Sequence, residues 1–159
     1  MKALSETAFQ RRGVVEGFFG PPWGFLERRT LFAFGARRGM NTYLYPPKDD
    51  PYHRERWHQL YPAPLWAKLC KLIRAAQNHQ IDFVYGFHPG KGLCFSAAEP
   101  VHRLLDKAER FYKTGVRVFA ILFDDIPSRL EFARDRERYR GSLARAEALW
   151  VRRVMESAP

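Results

Sequence analysis

The sequence has very little of what would make it a metalloprotein, a disulfide scaffold or a membrane protein. Only two of its 159 residues are cysteine, Cys70 and Cys94. They stand outside any CxxC or Cys/His spacing, so two buried free thiols are expected rather than a zinc site. Five histidines are scattered along the chain. His53 and His58 are spaced poorly for two ligands on one helix face, and no metal or cofactor is implied. No apolar run approaches a membrane-spanning length, and the N-terminal MKALSETAFQRR lacks the apolar core of a signal peptide. A soluble, cytoplasmic protein without a membrane partner is expected. An RNP-type motif, a zinc-finger spacing and a glycine-rich RNA loop are missing as well. That last absence matters because 27 Lys and Arg stand against 17 Asp and Glu, a formal charge of +10. Such a balance raises nucleic acid, anionic surfaces or acidic glycans as partners. The excess is dispersed over Arg11-Arg12, Arg28-Arg29, Arg37-Arg38 and, most densely, residues 129–153, so nucleic acid is not the expected partner.

What is present is a core. With 46% hydrophobic and 15% aromatic residues, the chain can fill the interior of about one domain. Its organising stretch is residues 116–127, VRVFAILFDDIP. Eight residues dominated by Val, Ile, Leu and Phe, entered through Gly115 and left through Pro127, fit a strand buried on both faces of a parallel sheet. Side chains alternate across a strand, so Asp124 and Asp125 can serve one site only where the strand gives way to a loop. That end of a strand is where parallel α/β folds carry their chemistry. Two adjacent acids beside an apolar strand repel, and burial is expected to keep one protonated while the other ionises. The plainer alternative is a solvated Asp-Asp turn.

The rest of the chain repeats one alternation. Residues 13–19 (GVVEGFF) read as a first strand broken by Gly20-Pro21-Pro22. Glu16 within it needs a buried partner, and a structural ion pair or hydrogen bond is expected in preference to catalysis. Residues 23–38 carry apolar side chains at positions 23, 26, 31 and 34, an amphipathic helix closed by Gly39. Residues 40–45 form a second strand, which runs into the proline-stiffened loop PPKDDP with Lys48 in it. Pro64 opens a second helix with Leu65, Leu69, Leu72, Ile73 and Ala76 on one face. Residues 81–87 make a third strand ending in His88-Pro89-Gly90-Lys91-Gly92. Ser96 and Glu99 have the spacing of a capping box before a helix marked by Val101, Leu104, Leu105, Ala108, Phe111 and Tyr112. After the fourth strand an Arg-rich connection leads to a last helix over residues 142–155. Four strand-helix units of this length imply right-handed crossovers, a parallel sheet, and all four strand-end loops on one side.

Three motifs in order give this pattern a family. Arg12-Gly13-Val14-Val15-Glu16-Gly17-Phe18-Phe19-Gly20 with Pro22-Trp23, then Asn41-Thr42-Tyr43-Leu44-Tyr45 through Pro47-Lys48-Asp49-Asp50, then Leu122-Phe123-Asp124-Asp125-Ile126, resemble glycoside hydrolase family 84. That family holds the O-GlcNAcases and related bacterial β-N-acetylglucosaminidases, some labelled hyaluronidases. The resemblance implies an α/β fold in which a parallel (βα)4 unit is the first half of a (β/α)8 barrel. Residues 1–10 would be an N-terminal tail and 11–159 a partial catalytic domain.

It further implies retaining hydrolysis in which the substrate's 2-acetamido oxygen is the nucleophile, an exception to the two-carboxylate rule. Asp124 would orient and polarise the acetamido N–H, and Asp125 would act as general acid and then base. Gly17 would offer its backbone to sugar hydroxyls with Phe18 and Phe19 beside it, and Lys48 would hydrogen-bond the pyranose rim. The partner would be an N-acetylglucosamine-containing glycoside or glycoprotein. Two departures from the family pattern stand out: Phe19 replaces the usual Tyr, and His88-Pro89-Gly90-Lys91-Gly92 replaces the common SPGLD. The second half of the family barrel supplies an Asn, a Tyr, a Trp and an Asp to the sugar pocket, so these residues alone are expected to have weak activity or none. Open sheet edges would then favour self-association. The function that competes with hydrolysis is a non-catalytic half-barrel binding glycan or protein through its aromatic and basic surface.

Overall fold

Each of the first three strands is followed by a helix and then by a strand that pairs parallel to the one before. The computed structural model describes residues 9–90 and 92–158. Eight of the ten residues expected to form a tail, and Lys91, therefore lie outside the described residues. In chain order the elements are β1 (Gly13–Val15), α1 (Phe25–Arg37), β2 (Thr42–Tyr45), α2 (Ala63–Asn78), β3 (Asp82–Phe87), α3 (Glu99–Tyr112), β4 (Val118–Ile121), α4 (Ala133–Arg138) and α5 (Leu143–Ser157). The strands lie in the order β1-β2-β3-β4, with Val14 opposite Tyr43, Tyr43 opposite Phe83 and Tyr85 opposite Phe119, every pair parallel. This is the expected α/β architecture, half of a (β/α)8 barrel.

Local chemistry explains most element boundaries. A proline in the first turn of α2 loses no helical hydrogen bond, and Leu69, Leu72, Ile73 and Ala76 then bury one face. Gly115 takes φ of +96°, a left-handed turn that ends the α3 segment where an L side chain would be strained. The Ser142 hydroxyl accepts from Arg145 N at 3.3 Å and caps α5. The core between sheet and helices is mainly aromatic. Tyr85 stacks on Phe111 with centroids 3.9 Å apart, and Trp150 of α5 stands edge-on to Trp57.

Several expectations are corrected. β1 is three residues long because the chain turns away after Val15 toward Gly20, whose φ is +104°. The helix expected from residue 23 starts at Phe25, and its inward face is Phe32 and Gly35, while Leu26 and Phe34 are exposed. Leu65 and Tyr112 also face outward. Ser96 caps no helix: Ala98 is the N-cap residue without a side-chain bond, and Glu99 already lies in the helix, paired with Arg103. β4 has four residues, all half-buried, instead of eight buried on both faces, because it stands at the sheet edge. The Arg-rich connection contains a short helix, α4. Of the two free thiols, Cys94 is buried and Cys70 only partly so.

Glu16 has the structural partners expected of it. Its side chain is 1% exposed and accepts from Arg28 Nη2 at 2.6 Å, Arg28 Nε at 2.8 Å, Trp23 N at 3.3 Å and the Tyr43 hydroxyl. The two-pronged pair ties the end of β1 to α1 and leaves no lone acid inside. Arg28→Met is expected to lower the unfolding free energy by about 3 kcal/mol, since it strands a buried carboxylate. Arg11→Met, which breaks the exposed pair with Asp82, should cost under about 1 kcal/mol. Urea unfolding of both variants checks the contrast, and equal losses would contradict it.

Candidate active site

Parallel topology delivers four loops to one end of the sheet, and the side chains singled out by sequence arrive with them. Gly17, Phe18 and Phe19 follow β1, Lys48 follows β2, His88 follows β3, and Asp124 and Asp125 follow β4. Lys48 Nζ donates to Asp124 Oδ2 and, at 3.0 Å, to Asp125 Oδ2. The lysine side chain is only 7% exposed, whereas the two carboxylates are 51% and 43% exposed. An ammonium is thus buried beneath two acids that still face solvent. The Phe19 ring lies 5.5 Å from Lys48 Nζ and 5.7 Å from the Arg54 guanidinium. Gly17 abuts the same loop: a Cβ there would come within 3.6 Å of Pro46. Phe18 turns aside and packs on Trp23 at 5.1 Å. Four of the six singled-out residues therefore meet directly, Gly17 sits at the rim, and Phe18 stands apart.

The chain solves the alternation problem at Asp125. Leu122 N still donates to Phe87 O at 2.8 Å, so sheet pairing persists to that point. Asp125 then adopts φ of +54°, a left-handed conformation that Asp tolerates better than most residues. This reversal brings consecutive carboxylates onto one ammonium. Partial burial pulls the Asp124 carboxyl upward, but the hydrogen bond and charge of Lys48, with His88 nearby, outweigh it and hold the group below its ordinary pKa. Asp124 is thus the ionised member of the pair, a half-exposed acid bound to an ammonium preferring its charged form. Burial likewise lowers Lys48, yet bonds from Asp124 and Asp125 more than offset this and raise its pKa.

Lys48 owes its position to a polar framework that the sequence did not disclose. Asp50 accepts from Tyr52 N at 2.8 Å and the Tyr61 hydroxyl at 2.7 Å. His53 Nδ1 donates to Gly86 O at 2.6 Å, and burial drives that imidazole down to about 3. Lys107, buried on α3, donates to Tyr52 O at 2.6 Å and Trp57 O at 2.9 Å, with its ammonium 4.8 Å over the Tyr61 ring. Burial pushes Lys107 down to about 7, with Asp50 pulling the other way. On the far side Asp135 of α4 accepts from Phe95 N and Ser96 N, both at 2.8 Å, pinning the loop after β3. Arg54, 4.0 Å from Asp125 Oδ2, was also missed. One signal was available: Lys107 falls between Leu104 and Phe111 on the buried stripe of α3, where a lysine needs internal acceptors.

His88, Asp124 and Asp125 bring possible ligand atoms within 4.8 Å of one another. Lys48 bonds both acids and Arg54 adds a second positive charge, so two cations already balance the two carboxylates and the field does not favour a divalent ion. Among the described residues no helix is long and apolar enough to cross a membrane.

Paired carboxylates at the C-terminal end of parallel strands lie where barrel enzymes, as a class, carry their catalytic face. A family profile described as beta-N-acetylglucosaminidase matches residues 12–158, and the chain belongs to that family, glycoside hydrolase family 84. It is 43% identical over 114 residues to the protein O-GlcNAcases of Rattus norvegicus and Mus musculus, a stretch covering 72% of this chain and 12% of each of those proteins. A solved mutant of the Thermobaculum terrenum O-GlcNAc hydrolase superposes with a TM-score of 0.88 at 36% identity, covering 93% of this chain and 32% of that one. The chain thus spans about an eighth of the curated relatives it matches.

The Lys107 framework has a pH signature. Between about 7 and 10.5 the unfolded lysine holds a proton that the folded one releases, so stability rises with pH across that window. Unfolding free energy is expected to climb from about pH 7 to about pH 8, below the range in which tyrosines titrate and before most thiols do. In Lys107→Met the climb should flatten. Denaturant unfolding at several pH values checks it, and an unchanged slope in the variant would count against the buried ammonium.

Proposed function

We propose that the protein is a β-N-acetylglucosaminidase of the O-GlcNAcase kind, removing terminal N-acetylglucosamine from a glycoside or glycoprotein with retention of configuration. The observation that carries this is the Lys48 ammonium bonded to both Asp124 and Asp125. Retaining glycosidases of the ordinary kind clasp the sugar between two carboxylates. Two acids from consecutive residues that grip one ammonium lie on the same side of any substrate. The nucleophile then has to come from elsewhere, and the 2-acetamido oxygen of the sugar is the group within reach of its own anomeric carbon.

The steps follow from that geometry. The acetamido oxygen bonds to the anomeric carbon while the bond to the aglycone oxygen breaks, and Asp125 gives that oxygen a proton. Asp124, held ionised by Lys48, accepts the acetamido N–H and favours the charge that grows on the forming oxazoline. Asp125, now a carboxylate, takes a proton from water as the water opens the oxazoline. Lys48 keeps the two acids in register, and its ammonium and the Phe19 ring form the floor beneath the sugar. Gly17 presents backbone rather than a side chain to the sugar hydroxyls. The non-catalytic alternative lacks a counterpart to this arrangement: binding alone needs no buried lysine beneath two solvent-facing acids.

In the whole protein, Asp125→Asn is expected to slow hydrolysis by about 10²-fold or more for substrates with poor leaving groups. The loss should shrink sharply for an aryl N-acetylglucosaminide whose phenolate leaves without help. Asp124→Asn should slow both substrates alike. Steady-state kinetics of the two variants on both substrates decides, and equal losses for Asp125→Asn across leaving groups would contradict the roles.

The proposal extends to self-association. β1 and β4 are the two edges of the sheet, Val15 is exposed and β4 is only half-buried, so unpaired backbone and apolar surface invite further strands. The isolated segment of 159 residues is expected to sediment as a dimer or larger species at micromolar concentration. A cooperatively melting monomer would overturn this.

A further inference from the structure

His88 is the first residue past β3, where the family pattern noted above commonly has serine, and hydrolysis as proposed makes no use of it. Its side chain is 1% exposed. The ring stands at 68° to that of His53, with centroids 5.8 Å apart, and His53 is itself locked to Gly86 O. The imidazole thus packs between His53 and the turn that carries Asp124. Nε2 stands 3.4 Å from Asp124 Oδ1, too poorly aligned to count as a hydrogen bond, and has no hydrogen-bond partner among the described residues. Lys48 holds the opposite oxygen of the same carboxylate, Oδ2.

We propose that His88 is a positioning residue for Asp124: its buried imidazole presents an N–H to Oδ1 while Lys48 grips Oδ2, fixing the rotation of the carboxylate toward a bound acetamide. This rests on Asp124 acting on the acetamido group, as proposed above. Each carboxylate oxygen has two acceptor directions, so Asp124, half-exposed, still has a lone pair for the substrate. A serine at this place would offer a shorter, freely rotating hydroxyl; the imidazole is rigid and cannot swing away to water. The charged and titratable groups around it are Lys48, His53 and Arg54 from the loop after β2, Asp124 and Asp125 from the turn after β4, and Lys107 of α3 behind His53. Burial lowers the imidazole's pKa; Asp124 opposes this, and Arg54 and Lys48 reinforce it. The ring is therefore neutral at pH 7 and acts as a hydrogen-bond donor rather than a second cation.

The test uses the whole protein and two substitutions. His88→Phe keeps ring volume and removes the donor; His88→Gln loses the ring but keeps an N–H. NMR titration of the Asp124 carboxyl carbon is expected to move its midpoint upward by about half a pH unit or more in His88→Phe and to recover most of that in His88→Gln. With an aryl N-acetylglucosaminide, kcat should fall about tenfold in His88→Phe with little change in KM, and His88→Gln should restore most of it. Asp124→Asn, read on the His88 ring nitrogens, probes the contact from the other side and should lower the imidazole pKa further, an outcome that does not depend on His88→Phe folding. An unmoved Asp124 midpoint in His88→Phe, a glutamine variant as impaired as the phenylalanine one, or ring nitrogens indifferent to Asp124→Asn would each overturn the proposal. A shifted midpoint in a protein that cleaves no N-acetylglucosaminide would sustain the His88–Asp124 contact and refute the hydrolase function.

Discussion

A lysine ammonium almost wholly removed from water has to find negative charge, and the upper end of this sheet is arranged around that requirement. Lys48 is 7% exposed, and desolvation of an unpaired cation at that depth would cost several kcal/mol. The charge it needs comes from β4, two strands away from its own, so the pair Asp124 and Asp125 can form only if β2, β3 and β4 are parallel, adjacent and in register. Fold and site are therefore one constraint: a slip of one residue in the β3–β4 register would turn the end of β4 over and carry the acids off the lysine.

The support beneath Lys48 follows the same rule of satisfied polar groups. The loop over residues 46–62 is a run of turns with short-range backbone hydrogen bonds, and its inward carbonyls at Tyr52 and Trp57 are met by Lys107. Asp50 gathers Tyr52 N and the Tyr61 hydroxyl, and His53 reaches across to β3. These partners come from α3, from the loop itself and from the Gly86 carbonyl of β3, so the loop is braced by three different elements. A loop so braced holds its ammonium in place before substrate arrives, and orientation fixed in advance is worth several kcal/mol of barrier.

Residues whose role is set by a local rule were legible in the sequence, and residues whose role is set by distant partners were not. The strand-helix order and the proline that opens α2 depend on neighbours a few positions away. Glu16 was legible as a structural acid because a carboxylate in an apolar strand must be paired, although nothing local named Arg28 or Tyr43 as its partners. The Asp124-Asp125 pair was visible because an apolar run stopped on it. Which of the two is held ionised was not legible in the pair itself, because the ammonium that decides it for Asp124 lies 76 positions earlier. The capping box at Ser96 failed for a related reason: the backbone N–H of Ser96 is taken up by Asp135, far along the chain. β4 looked fully buried because its composition suits a strand covered on both faces, whereas it forms an edge of the sheet.

The central claim is that the sugar's acetamido group performs the attack that the adjacent carboxylates cannot. It is tested most directly by replacing the acetyl hydrogens of an aryl N-acetylglucosaminide with one, two and three fluorines and following kcat/KM with the whole protein. Each fluorine withdraws electron density from the acetamido oxygen without touching the leaving group or the two acids. The account predicts a steep, monotonic fall in log kcat/KM across the series, a loss of transition-state stabilisation read directly from the ratio of rates. A flat series would mean that the oxygen is not the nucleophile, and would contradict the account.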